Sequence, residues 1–494
     1  MVGKDREVEL KFTLEAVRPD ELLAWLGQGR RPTKVALSAT YYDTPGLDLR
    51  QAGLSLRVRE EDGVYIQTVK STVASRGRLG RGEWSTTVAG PGVDLAAARL
   101  TPAKRLLKGA EAPTAQFTVM VDRLSLDLRS PDSLIEASLD RGVVAAGTRS
   151  APVVELELEL KSGAPLALFA LARRLQLAFP VPLSAVAKSD RGFALAGGTD
   201  LAHRRFRQPE LSTEMTAGEA FRVAARAAVE QMIWNAALVR QAASPEAIHQ
   251  TRIGVRRLRA TLSTFRSVVA DDERHGVRER LKALGKELDE ARNLDVFLDG
   301  VWRRAPASDR PAADESALIA AKAAAYDRAR LAVNSADART LALDTLAWIE
   351  LGAWTHRRAD GAMARDKPVA RFAARSLGKG RRKLVEAGKS LAGLTPEDRH
   401  HVRIRAKVLR YAAEVLAPVF PGKPKRAERY LDALEDLAET LGELNDLATA
   451  RAVVSHLPAE IALGGDEAVR EARLIDQAQV AFERFRRAKP FWPE

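Results

Sequence analysis

The segment Glu7-Val8-Glu9-Leu10-Lys11-Phe12 sets two acids and a base on one side of an extended chain, and Glu155 to Leu160 repeats acid and leucine three times. Residues i and i+2 of a strand share a face about 7 Å apart, so carboxylates stacked in this way repel unless a cation sits among them. Hard divalent ions that prefer oxygen ligands, Mg²⁺ or Mn²⁺, suit a set made of Glu7, Glu9, Glu155, Glu157 and Glu159. Between these runs lie cations. Arg57 and Arg59 share a face opposite Leu56 and Val58, Lys70 ends the run Tyr65 to Lys70, Arg78 and Arg81 flank a glycine-rich turn before Glu83, and Arg123 and Lys188 follow. If these faces turn inward on a closed sheet, the lumen has a carboxylate floor for metal and a cationic wall for phosphate. Solvated outer faces usually mix signs, because like charges in a row are unfavourable.

A second pattern occurs twice. Ser244, Pro245, Glu246, His249, Arg252, Ile253, Arg256, Leu258 and Arg259 recur 151 residues later as Thr395, Pro396, Glu397, His400, Arg403, Ile404, Lys407, Leu409 and Arg410. A fixed offset across so many positions is an internal duplication. At 100° per residue, the histidine and the cations three, seven and ten positions on fall within an arc of about 80°. Such a stripe on each of two helices fits a polyanion. Neutral histidine can donate a hydrogen bond to phosphate, and protonation below its ordinary pKa of about 6.5 predicts tighter binding on acidification.

The elements that position these groups differ between the two halves. Residues 1–195 alternate with period two and are broken by Asp62-Gly63, Arg76-Gly77 and Gly90-Pro91-Gly92, which predicts strands, with helical intervals at Asp20–Leu26, Leu95–Leu107 and Pro165–Leu175. From about Thr216 the pattern is helical, and Gly197-Gly198 with the basic run His203 to Arg207 reads as a linker over 196–215. Beside each cationic stripe runs an apolar arc, Ile248, Val255, Leu258, Leu262 and Phe265 or Val402, Ala406, Leu409, Ala413 and Leu416, which predicts the face turned to the core. Ser244 and Thr395, each followed by proline, predict the helix starts.

The chain has 494 residues, 46% hydrophobic, enough for two or more cored domains. Its net charge of +13 is uneven: residues 1–200 carry 27 basic and 24 acidic side chains, and the remainder 51 and 41. The helical half therefore holds most of the excess, which points to a polyanionic partner. With no cysteine there is no thiol nucleophile, zinc-thiolate site or disulfide. No apolar run reaches the roughly 20 residues of a membrane span, and the first 20 residues are too charged for a signal peptide, so we expect a cytoplasmic protein without a membrane partner.

At this point the residues resemble known families. Glu7 to Lys11, Tyr41 to Glu60, Gln67 to Lys70, Gly82-Glu83, Ile135 to Gly142, Glu155 to Gly163 and Ala187 to Phe193 resemble, in order, the blocks of the CYTH domain, the triphosphate tunnel metalloenzymes. Glu246 to Leu262 and Arg399 to Glu414, each followed by a matching segment at Leu288 to Leu298 or Leu441 to Arg451, resemble the CHAD domain. The resemblance implies an α+β chain: an antiparallel eight-stranded β tunnel with flanking helices at 1–195, the linker, and an all-α pair of four-helix bundles at 216–494. It implies hydrolysis of inorganic triphosphate with Mg²⁺ or Mn²⁺, the metal held by Glu7, Glu9, Glu155 and Glu157, with Glu159 a less secure fifth. Lys11, Arg57, Arg59, Lys70, Arg123 and Lys188 would contact phosphate oxygens, with Glu83, Glu136 and Asp140 orienting water or other side chains. For the helical half it implies a groove for long-chain inorganic polyphosphate lined by His249, Arg252, Arg256, Arg259, His400, Arg403, Lys407 and Arg410, and association with polyphosphate granules.

Two rival readings stay open. The tunnel is catalytically idle and the helical half targets polyphosphate, or the tunnel acts on an organic triphosphate such as thiamine triphosphate or ATP, as hydrolase or cyclase. Nucleic acid fits the helical half less well, since the basic positions have little aromatic interleaving for base stacking.

Overall fold

In the computed structural model the chain divides into two compact units, Met1–Arg204 with Ala336–Glu350, and Arg205–Ser335 with Leu351–Glu494. The structure describes residues 3–15, 17–74, 81–108, 111–300, 302–304, 312–356, 364–455 and 467–493.

The first unit is built on β1 (Gly3–Glu7), β2 (Glu9–Thr13), β3 (Thr33–Asp43), β4 (Leu54–Glu61), β5 (Val64–Ala74), β6 (Arg81–Val88), β7 (Thr114–Ser130), β8 (Ser133–Ala146) and β9 (Arg149–Ser162). All pairings are antiparallel, in the order β1-β6-β5-β4-β3-β7-β8-β9-β2. The two ends of that order are consecutive segments separated by Val8 alone, whose carbonyl accepts from Leu160 N at 2.9 Å. One bent N-terminal strand therefore joins both edges and closes the sheet, and counting it once gives eight strands. Closure removes the exposed edges an open sheet would carry. Asp62 and Gly63 both have positive φ, 48° and 79°, the type I′ hairpin that an Asp-Gly pair specifies between β4 and β5.

Alternation sorts the side chains. Leu10, Phe12, Leu156 and Leu158 are buried on the outer face, and the helix Pro165–Ala178 packs against β9. Inside, an apolar cluster of Leu37, Tyr41, Phe117, Val119, Val121 and Phe193 fills one end. Tyr41 stacks on Phe117 with centroids 4.7 Å apart, and Phe193 meets Phe117 edge-on at 5.0 Å. Phe193 comes from the short helix Lys188–Ala196, which the alternation pattern does not predict. That helix can lie so close only because Gly192 has no side chain: a Cβ there would sit 2.1 Å from the Phe117 ring. The interval Leu95–Leu107 is two pieces, a helix at Leu95–Ala98 and a 3₁₀ turn at Pro102–Arg105, because Thr101 caps the second piece and Pro102 cannot continue the first.

The second unit is helical. One group comprises Ala217–Gln241, Pro245–Thr264, the broken pair Glu273–Glu287 and Asp289–Gly300, and Ala312–Asn334; the other comprises Val369–Ala387, Pro396–Leu416, Pro424–Ser455 and Glu467–Arg487. The histidine helices begin at Pro245 and Pro396. Ser244 Oγ accepts from Ala247 N at 3.2 Å, and Thr395 Oγ1 from Asp398 N at 3.1 Å. Every residue of both expected apolar arcs is buried. The segment 205–211 is docked on these helices: Phe206 lies 4.1 Å beneath the Arg257 guanidinium, and Gln208 Nε2 donates to the Glu414 carbonyl at 2.7 Å.

Candidate functional site

The register of β2, β9, β8 and β7 writes the inner face of the tunnel in three rows. Glu9 faces Glu159, which faces Glu136; Lys11 faces Glu157, which faces Ser138; Thr13 faces Glu155, which faces Asp140, which faces Arg123. On the other wall β3 and β4 set Tyr41 beside Arg57, and β5 and β6 set Lys70 beside Glu83. These side chains enclose a cavity of about 570 Å³. Of the expected residues, Glu9, Lys11, Arg57, Arg59, Lys70, Glu83, Arg123, Glu136, Asp140, Glu157, Glu159 and Lys188 line it. Glu155 does not: at the end of its row it is 1% exposed, beneath Lys188. The side chains of Glu7 and Arg81, and all of Arg78, lie outside the described residues.

Inside, the protein's own cations sit among the acids. Arg123 donates from Nε and Nη2 to the two oxygens of Asp140, both at 2.7 Å, and from Nη2 to Glu157 at 2.8 Å. Lys188 Nζ reaches Asp140 at 2.7 Å, Glu157 at 3.1 Å, and Glu155. Lys11 Nζ lies 2.9 Å from Glu157 and 3.3 Å from Glu9. Burial by itself would push the Glu157 carboxyl up, but Lys11, Lys188 and Arg123 outweigh it and hold it well below the ordinary range. Burial would likewise lower Lys11, yet Glu157, Glu9 and Glu155 hold it well above its usual value. Oxygens of Asp140, Glu155 and Glu157 lie within 4.8 Å of one another, the spacing of a metal cage, and Lys188 occupies that place.

Two further lining groups lie outside the expected set. Lys161 Nζ meets Glu159 at 2.7 Å and Glu136 at 3.7 Å, and Glu61 holds Arg59 at 2.8 Å. Both lie two residues beyond groups already recognised, on the same strands, so the period-two rule could have found them.

In the helical unit the two histidine helices pack against each other, and Asp289–Gly300 packs against Pro424–Ser455. With Glu273–Glu287 they enclose a groove of about 790 Å³ whose lining includes His249, Arg252, Arg256, Arg259, His400, Arg403 and Lys407. Arg410 points elsewhere, to Glu414 at 3.2 Å and Glu435 at 2.5 Å. His400 lines the groove, with Nδ1 2.8 Å from Asn445 Oδ1, which also accepts from Arg403 at 3.1 Å. Glu279, Lys282, Lys286 and Asp289 also line it, as do Arg292, Asn293, Asn445 and Asp446, and the duplication extends to the last four: Arg292-Asn293 and Asn445-Asp446 sit at matching places in the segments after the histidine helices. Among the described residues Arg256, Arg259 and Lys407 form no salt bridge, and Nδ1 of His249 and Nε of Arg256, Arg259 and Arg403 are buried without a hydrogen-bond partner.

Burial and the crowding of like charge both disfavour protonation of Lys407 and His249 in the groove. Burial, then Arg403 and Arg256, push Lys407 down to about 6, and burial, then Arg292 and Arg256, push His249 down to about 4. For His249 the expected gain in binding on protonation near the ordinary pKa is therefore corrected: this histidine is neutral above about pH 4, while Lys407 is a groove side chain brought down to about 6.

A profile of the CYTH domain matches residues 5–193, and one of the CHAD domain matches residues 223–455. The chain joins a CYTH domain to a CHAD domain. An inorganic triphosphatase of Haemophilus influenzae is 28% identical over 202 residues, 38% of this chain and 55% of the relative, so the chain spans about half the length of the curated relative it matches. Among solved structures, the CHAD domain from Ricinus communis is 26% identical, with a TM-score of 0.49 over 57% of this chain and 97% of that one. A Hippeastrum protein studied as an adenylyl cyclase, and described as having a dominant triphosphatase activity, is 16% identical, with a TM-score of 0.30 over 40% of this chain and 97% of its own. Among the described residues no helix is long and apolar enough to cross a membrane.

Proposed function

We propose that the CYTH tunnel hydrolyses inorganic triphosphate to pyrophosphate and phosphate with Mg²⁺ or Mn²⁺, and that the CHAD groove binds long-chain inorganic polyphosphate. The domain limits we assign are 1–195, a linker at 196–215, and 216–494. The observation that carries the first half is the pairing of walls: an acidic row, Glu136, Glu159 and Glu9, on one side of the cavity and Arg57, Arg59 and Lys70 on the other.

The acids that would hold metal are those of this open row. Asp140, Glu155 and Glu157 already have Lys188 or Arg123 against them, whereas Glu9, Glu136 and Glu159 face the cavity, Glu9 beside Lys11 and the other two beside Lys161. Their carboxylates are hard oxygen donors, the set Mg²⁺ and Mn²⁺ prefer, and the ion would supply charge neutralisation at the phosphoryl oxygens. Arg57, Arg59, Lys70 and Arg123 bind and orient the phosphate chain and take up the charge that spreads onto the leaving pyrophosphate. Lys11 and Lys188, fixed by Glu157 and its neighbours, keep the acidic wall from collapsing outward. Water is the nucleophile: its oxygen bonds to the terminal phosphorus, the bridging P–O bond breaks toward pyrophosphate, and one proton passes to solvent. Serines line the cavity, Ser85 donating to Glu83 and Ser138 to Glu136 at 3.1 Å each, and no histidine lies beside them among the described lining residues.

An inorganic substrate is favoured over an organic triphosphate because Tyr41 is the only aromatic lining residue among those described, and it is buried and stacked on Phe117. Nothing there offers a face to a base or thiazole ring. The deciding experiment is phosphate release from tripolyphosphate, ATP and thiamine triphosphate with Mg²⁺, Mn²⁺ or chelator. Release from tripolyphosphate that needs metal and disappears in Glu9→Ala supports the reading. Preference for ATP or thiamine triphosphate, or no release from any of the three, overturns it.

A further inference from the structure

The helix Val369–Ala387 carries six basic side chains and one acid, Glu386. Arg371, Arg375, Lys379 and Arg382 are all exposed, and their spacing puts them within an arc of about 80° along about 16 Å of helix. None of the four forms a salt bridge or side-chain hydrogen bond among the described residues. Elsewhere on the same unit exposed arginines find carboxylates: Arg330 meets Asp327 at 2.9 Å, Arg328 meets Glu290 at 2.6 Å, and Arg451 meets Glu471 at 2.7 Å. A surface designed only for solubility would interleave signs, as those do.

The stripe also has a shaped floor. Ala370, Ala374 and Gly378 open a depression between this helix and the C-terminal segment, where Trp492 lies on the far side. Arg381 ties the two walls by donating to the Arg486 carbonyl at 2.9 Å. Arginines and small residues dominate the lining, Trp492 is buried, and the half-buried Phe420 packs edge-on against Phe491, so the depression suits a flexible chain of phosphates better than stacked bases.

We propose that this face of the Val369–Ala387 helix is a second binding surface for inorganic polyphosphate, separate from the histidine groove, and that occupancy of both makes affinity depend on chain length. This rests on the assignment of polyphosphate to the groove. A short chain fills the groove alone; a long one engages both surfaces, and the second contact is intramolecular.

The test titrates the full chain, in chelator, with short-chain and long-chain polyphosphate. The variant Arg371→Glu/Arg375→Glu/Arg382→Glu changes only exposed side chains, and unchanged thermal unfolding confirms its fold. We expect long-chain affinity to fall about tenfold or more while short-chain affinity stays within about twofold. A long-chain affinity equal to wild type overturns the proposal, as does an equal loss at both lengths, which would mean general attraction to the groove. Displacement of long chains by duplex DNA at equal phosphate concentration would make nucleic acid the occupant and also overturn it. The groove variant Arg256→Gln/Arg403→Gln separates the two assignments. If it keeps short-chain binding while the stripe variant loses the long chain, the groove reading fails alone; if wild type binds neither length, both fail.

Discussion

The tunnel and the groove are both crowded with charge, and they handle it in opposite ways. Seven acids and seven bases line the tunnel cavity, and the buried ones are knotted together, Lys188 and Arg123 between them touching Asp140, Glu155 and Glu157. Eight lysines and arginines but only three carboxylates line the groove. There the cations depress one another: burial with Arg403 and Arg256 brings Lys407 to about 6, and burial with Arg256 lowers Arg403 to about 10. Burial pushes the Asp446 carboxyl up even though Arg403 and Lys407 pull it down, so the acids present do not settle the imbalance. A balanced site keeps its shape without ligand and suits oriented chemistry. An unbalanced one is destabilised until a polyanion arrives, so folding energy is converted into affinity.

Substitutions that remove one lysine from each site should break this contrast most visibly. Lys188→Met leaves buried Asp140 with Arg123 and takes from buried Glu155 the lysine that touches it, and we expect a loss of about 3–5 kcal/mol in chemical denaturation. Lys407→Met should act the other way. The folded value of about 6 lies below the ordinary 10.5, so between those pH values the unfolded chain binds a proton the folded one does not, and stability rises with pH across that window. At neutral pH the lysine therefore costs stability, and its removal should raise Tm by about 2–5 °C while weakening polyphosphate binding. A fall in Tm for Lys407→Met would erase the distinction between the sites.

Much of this contrast is legible in the residues. The apolar arcs, the cationic stripes, the caps at Ser244 and Thr395 and the acidic alternation are local patterns, and local geometry places them. Pairing across the tunnel is not local. That Lys188 would fill the cage of Asp140, Glu155 and Glu157 depends on a short helix containing Gly192, whose position against Phe117 only the closed barrel defines. Arg410 shares the angular position of Arg259, yet the nearby Glu414 and Glu435 turn it away from the groove. The depressed value of His249 comes from burial and from Arg292, on a helix that the wheel of its own segment does not include.

Acidity sharpens the comparison further. In the tunnel the depressed carboxyl of Glu157 contributes stability that is present above the usual carboxylate range and lost only as pH falls well below it, so first-unit stability should be flat from pH 8 to 5. Over pH 8 to 6 polyphosphate affinity should instead rise by up to about tenfold per unit, since each binding event then needs one proton. An affinity flat over that range would contradict the assignment of Lys407. The smallest effect expected is at Asn445, which steadies both His400 and Arg403. Asn445→Ala should weaken binding by about 1 kcal/mol, read by calorimetry, without changing tripolyphosphate hydrolysis.

Proton uptake tests the central contrast most directly. Calorimetric titration of polyphosphate into the full chain near pH 7.5, repeated in buffers of different ionisation enthalpy, counts the protons taken from solution. We expect close to one proton taken up by wild type and almost none by Lys407→Met. Binding with no proton uptake, or uptake that survives removal of Lys407, would contradict it.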